Sequence, residues 1–122
     1  MIAGVGLDLV AVERAAGLLA RHGRRLRARC FAPGELARRP DDPEHVAGLL
    51  AAKEAAFKAL GTGWGDGLGW SDAVVVRGPA GAPRLYLVGA AAARAAALGV
   101  QNVHLSITHA AGVAVAVVIL ES

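Results

Sequence analysis

Cysteine is almost missing from this chain. Cys30 stands alone, so no internal disulfide can form and no zinc-type spacing exists. Aromatic residues are also scarce, at 4% of 122 residues, while 55% are hydrophobic; the core must be built from Val, Leu, Ile and Ala. No apolar run reaches the roughly 18–20 residues of a membrane-spanning helix. Met1 to Val10 has neither a basic n-region nor a small-residue cleavage site, so no signal peptide is expected. Together these absences point to a cytoplasmic protein with no membrane partner. Length predicts one domain over 1–122, and neither a repeat nor a low-complexity linker interrupts it.

Charge is present, but unevenly. Residues 1–39 hold eight arginines (14, 21, 24, 25, 27, 29, 38 and 39) against Asp8, Glu13 and Glu35, a balance of +5. The remainder has five basic and seven acidic residues, or −2. A basic half on a small chain implies an acidic partner: nucleic acid, an anionic surface or an acidic protein. A nucleotide- or RNA-binding module would need aromatics to stack on bases. None lies inside the arginine cluster, with Phe31 just beyond it, so a nucleic-acid partner is not expected.

Periodicity predicts a strand over 2–10, with Val5, Leu7 and Leu9 on one side and Gly4, Gly6 and Asp8 on the other. A helix over about 12–22 should stop at Gly23, followed by a basic helical piece over 24–30. Pro33 suits the first turn of a short helix. The helix over 43–60 is the clearest element, ended by Gly61. Five glycines fall within 61–69, a loop. Strands over 72–77 and 84–88, a structural helix over 90–98 and a hairpin of 103–108 with 113–120 complete an α+β chain: a small antiparallel-rich sheet packed on a long helix.

Four features could carry chemistry. Asp8 lies inside an apolar strand, where a buried carboxylate costs several kcal/mol unless paired or metal-bound, on the order of 2–7. Its two glycine neighbours leave room for a close approach; capping the next helix or meeting an arginine are plainer roles for it. Glu54 and Lys58 lie four apart on one helix face, which by itself describes a solvated ion pair. That helix is apolar nearly all round, however, so burial is expected, and an acid and an ammonium there could hold a hard cation beside a phosphate. His109 interrupts the alternation of Leu105 and Ile107, which suggests that the backbone turns or bulges there. It could be structural, meet a phosphate when protonated, or accept a proton when neutral. Arg14, Arg21 and Arg25 share one side if the helix runs through Gly23, either as solvated surface or as a docking face.

Gly4-Val5-Gly6-Leu7-Asp8 with Arg14, Phe31 to Glu35, Ala51-Ala52-Lys53-Glu54-Ala55 through Lys58-Ala59-Leu60-Gly61-Thr62-Gly63, and His104 to His109 occur in order. This series resembles the holo-acyl-carrier-protein synthase family of phosphopantetheinyl transferases over nearly the whole chain. The resemblance implies transfer of 4'-phosphopantetheine from coenzyme A to a serine of apo acyl carrier protein, releasing 3',5'-ADP. It implies a Mg2+ site at Asp8 and Glu54. Lys58 and His109 would touch coenzyme A phosphates, near Gly61, Thr62 and Gly63, and Pro83 and Arg84 would face the nucleotide held by a neighbour in a homotrimer. Arg14, Arg21 and Arg25 would grip the acidic carrier. Glu54 is the first choice of base and His109 the second. Three positions depart from the common pattern: Leu49-Leu50 where many relatives have Arg-Phe, Ala110 where an acid or polar residue is usual, and Ala82 in place of a lysine.

Overall fold

The computed structural model describes residues 1–62 and 67–122. In chain order the elements are β1 (Ile2–Ala11), α1 (Val12–Cys30), α2 (Pro43–Leu60), a 3-10 turn (Trp70–Asp72), β2 (Ala73–Arg77), β3 (Pro83–Leu87), α3 (Gly89–Ala97), β4 (Asn102–Ala110) and β5 (Val113–Glu121). An antiparallel sheet ordered β1-β5-β4 and a two-stranded β2-β3 ribbon surround α2, giving the expected α+β architecture. Asp42 opens α2 by accepting from the Glu44 N–H at 3.0 Å, with Pro43 at the first helical position. Gly61 closes it in the left-handed conformation, φ 74°.

Two glycines fix how the layers meet. A Cβ on Gly6 would lie 1.7 Å from the Ala55 carbonyl oxygen, and one on Gly4 2.1 Å from that of Ala59. The close approach that these glycines allow is therefore α2 itself, lying backbone to backbone on β1. Ala51, Ala52, Ala55, Ala56 and Ala59 complete the seam with small side chains. With the glycine face turned inward, Val5, Leu7 and Leu9 point outward and stay 57%, 60% and 58% exposed. Strand register puts them in line with Ile119, Val117 and Val115 of β5, so one face of the sheet is an uncovered apolar surface.

One local expectation holds to within a residue and two are corrected. The two expected helical pieces of α1 meet at a kink at His22 (φ −135°, ψ 23°), so Arg25 lies beyond a bend from Arg14 and Arg21. Pro33 starts a turn rather than a helix, because Gly34 takes φ 94° and the Glu35 carboxylate folds back to accept the Ala32 N–H at 2.7 Å. Finally, β4 carries no bulge at His109. Its register with β5 runs unbroken from Asn102 to Ala110, and His109 faces inward with Leu105 and Ile107.

A buried ion pair binds the parts together. Lys53 is fully buried on α2 and donates to both Glu35 oxygens (2.9 and 3.0 Å), to Trp70 O (3.2 Å) and to Ala73 O (2.5 Å). The same carboxylate accepts the Val75 N–H at 2.9 Å. Burial pushes the Lys53 ammonium below its usual range, and the Glu35 charge pulls back against that. One pair thus ties the 31–37 turn, the 3-10 turn and β2 to the helix that presents Glu54.

Candidate active site

β1 delivers Asp8 to the flank of α2, because the pleat that buries Gly4 and Gly6 buries Asp8 on the same side. Lys58 arrives from the last turn of the helix. Its ammonium donates to Asp8 Oδ1 at 3.0 Å and to the Leu7 carbonyl at 3.1 Å. The helix-surface pair expected between Glu54 and Lys58 is thus replaced by a pair across elements.

Asp8 Oδ2 is buried and has no hydrogen-bond donor among the described residues. Beside it stands Glu54, one turn before Lys58 on the same face. Its carboxyl is pushed up to about 7 from an ordinary 4.5. Burial is the main cause, followed by a hydrogen bond to Asp8 and the Asp8 charge, against the opposing pull of Arg14 and Lys58. The two observations have one explanation. With both acids ionised, an oxygen of Asp8 is left without a partner, and a proton on Glu54 supplies one. A dication would supply the same need without the proton. Two carboxylates suit Mg2+, which keeps waters and takes substrate phosphates for its remaining positions. No cluster of three or more His, Cys, Asp or Glu able to hold a metal occurs among the described residues.

Arg14 is exposed at the start of α1 and close enough to Glu54 to lower its pKa, which sets one of the three arginines beside the acid pair. Arg21 and Arg25 are exposed farther along, and the Arg21 guanidinium folds over Gly17. Gly61 and Thr62 follow Lys58, with the Thr62 hydroxyl donating weakly to Phe57 O at 3.5 Å. Arg94 of α3 donates from Nε to Leu60 O at 3.2 Å, placing an unforeseen cation beside this turn. Gly63 lies outside the described residues.

The other expected ligand-binding residues are not brought to this place by a single chain. His109 sits on β4, with β5 between it and β1, and its Nε2 meets the Glu44 carbonyl at 3.1 Å in the first turn of α2. Glu44 and Glu54 are ten residues apart on the helix, about 15 Å along its axis. Pro83 and Arg84 begin β3 and line a groove of about 650 Å³ between β3, α3 and β4.

Sequence reasoning missed Lys53 and Gly48. Lys53 had a usable signal: it stands four residues from both Leu49 and Phe57 on an apolar stripe, where a charge must find a buried partner. Gly48 faces the His109 ring, and nothing in the sequence links two positions 61 residues apart.

Comparisons with known proteins identify the family. Residues 4–118 match the family model of the 4'-phosphopantetheinyl transferase superfamily. The chain is 48% identical over 124 residues to a holo-[acyl-carrier-protein] synthase of Nitratidesulfovibrio vulgaris, covering all of both chains. It is 53% identical over 127 residues to one from an Anaeromyxobacter species, covering 99% and 97%. A crystal structure of the Helicobacter pylori holo-[acyl-carrier-protein] synthase in complex with coenzyme A superposes with a TM-score of 0.86 at 31% identity, covering 96% of this chain and 99% of that one. The family model, which matches most of the chain, and these full-length relatives together show that the chain belongs to the 4'-phosphopantetheinyl transferase superfamily.

Proposed function

We propose that this chain moves 4'-phosphopantetheine from coenzyme A to a serine hydroxyl of an apo acyl carrier protein. The observation that carries the reading is the meeting of Asp8, Glu54 and Lys58: an acid with a bare buried oxygen, an acid held near neutrality and a half-exposed ammonium on one flank of α2. The relatives' names and the coenzyme A complex of the Helicobacter pylori protein support the donor and the acceptor.

In this reading the serine oxygen bonds to the β-phosphorus of coenzyme A. The phosphoanhydride bond breaks, and its electron pair leaves on 3',5'-ADP. Asp8 and Glu54 would hold Mg2+, which when bound supplies charge neutralisation for the diphosphate. Lys58, already half-exposed, swings its ammonium from the Leu7 carbonyl to a phosphate oxygen and offsets charge on the leaving side. Glu54 is the first candidate to take up the serine proton. His109 is the second candidate for the proton. Gly61, Thr62 and Gly63 cradle the same ligand, while Arg14, Arg21 and Arg25 engage the carrier's acidic surface.

His109, Pro83 and Arg84 would reach a bound coenzyme A from a second copy. The uncovered Val5, Leu7 and Leu9 face supports such an assembly, a homotrimer with sites at its boundaries. We place the reaction in the cytoplasm: the one cysteine, half-buried Cys30, is a free thiol, and no helix among the described residues is long and apolar enough to cross a membrane. Incubation of an apo carrier protein with coenzyme A and Mg2+, followed by mass spectrometry, tests the proposal. A phosphopantetheine-sized gain that a chelator abolishes is expected; no gain refutes it.

A further inference from the structure

We infer that Gly48 is a positioning residue for His109, leaving a notch on α2 that seats the imidazole with Nε2 donating to the Glu44 carbonyl and only Nδ1 free for a ligand. The inference rests on the reading that His109 meets coenzyme A, and adds which residue holds the ring and which nitrogen does the work.

Gly48 lies within α2 and has ordinary helical backbone, so a positive φ does not explain it. Glycine is the least favoured helix residue after proline. Alanine fills the neighbouring sheet-facing positions 51, 52, 55 and 59, and would be the natural choice at 48 as well. What forbids it is the imidazole. A Cβ built on Gly48 comes within 2.8 Å of His109 Nε2, 3.3 Å of its Cε1 and 3.3 Å of Ile107 Cγ2. The closest clash is with the far end of a side chain, not with backbone. An added methyl would therefore move the ring and leave the fold standing.

The partner on α2 fixes the ring's protonation pattern. A carbonyl oxygen can only accept, so Nε2 must carry the hydrogen in the 3.1 Å contact with Glu44 O. A neutral His109 is then the Nε2–H tautomer, and Nδ1 is the nitrogen that gains or loses a proton or contacts a phosphate. Loss of the notch would release Nε2 and scramble this assignment. The unbroken register of β4 fits the same account: the strand has no need to bulge, because the helix has been thinned opposite the ring.

The test uses the full chain and three variants: Gly48→Ala, His109→Ala and the double substitution. Gly48→Ala should still unfold cooperatively near the wild-type temperature, since alanine's gain as a helix former offsets the lost Nε2 hydrogen bond. Nitrogen-15 spectra should show wild-type His109, when neutral, with its hydrogen on Nε2, and Gly48→Ala should change that pattern. Both single variants should raise the coenzyme A KM by about tenfold, the weight of one charge-assisted hydrogen bond. In the His109→Ala background Gly48→Ala should add nothing. Unchanged His109 resonances in Gly48→Ala, a neutral ring with hydrogen on Nδ1, or losses that multiply in the double variant would overturn the inference. If the wild type transfers no phosphopantetheine, the functional reading fails separately, and the ring spectra still decide whether Gly48 seats His109.

Discussion

Removing a charge from the candidate active site should make the metal-free protein more stable. Glu54→Gln keeps the shape of a protonated Glu54 and can still donate to Asp8, but it never ionises. In the wild type, the Glu54 carboxyl rises from 4.5 in the unfolded chain to about 7 in the fold. Between those values the folded state binds more protons than the unfolded one, so this group lowers stability as pH rises from 4.5 and gives its full penalty above 7. At about 1.36 kcal/mol per pKa unit, that rise sets a ceiling of roughly 3 kcal/mol. Glu54 is only half-buried, and solvent screening reduces this to about 1–2 kcal/mol. Urea unfolding in a chelator, at pH 4.5 and pH 8, reads the difference directly. The two proteins should match at pH 4.5, and Glu54→Gln should be the more stable by about 1–2 kcal/mol at pH 8. Added Mg2+ should stabilise the wild type at pH 8 more than at pH 5, and the variant at neither; turnover of the variant should fall more than tenfold. A variant that is no more stable than wild type at pH 8 would show that the two acids do not share a site.

Three further outcomes follow from the geometry. Gly6→Ala drives a Cβ into the Ala55 carbonyl, a backbone atom of the central helix that cannot yield, and should cost at least about 3 kcal/mol in urea unfolding. Arg14→Glu with Arg21→Glu should raise the carrier-protein KM by about tenfold or more while coenzyme A binding holds. Because Arg14 also holds Glu54 down, its reversal alone should move the acidic limb of the pH–rate profile to higher pH, and Arg21→Glu alone should not. Leu7→Glu charges the centre of the uncovered sheet face. Light scattering should show a folded monomer, where elution like the wild type would remove that face from the assembly.

The sequence made the long helix legible because its N-terminal Pro43, helix-forming interior and Gly61 stop all agree. Asp8 was legible for the opposite reason, since an acid flanked by glycines in an apolar strand violates its surroundings. What could not be read was decided by contacts between distant segments. Gly23 marks the break in α1 to within one residue, at His22, but nothing local shows that Leu26 of the second piece is buried in the core. Pro33 has the local character of a helix start, but the Lys53 ammonium, twenty residues later, claims Glu35 and draws the chain into a turn. His109 disturbs an alternating pattern only if the opposite surface is flat; Gly48 makes it hollow.

The same contrast explains why the acids were found and their partners were not. An acid in an apolar strand or on an apolar helix stands out on its own evidence, and that suffices to flag Asp8 and Glu54. Which cation answers Asp8 depends on how closely β1 and α2 approach. Gly4 and Gly6 set that spacing by having no side chain at all. With ordinary side chains there, α2 would stand farther from β1, and Lys58 would have kept to its own helix and paired with Glu54 at i−4. At the observed contact it reaches across to Asp8 and the Leu7 carbonyl, and Glu54 is left to carry a proton or to share a dication. The chemistry of this flank is therefore set by two residues that take no part in it.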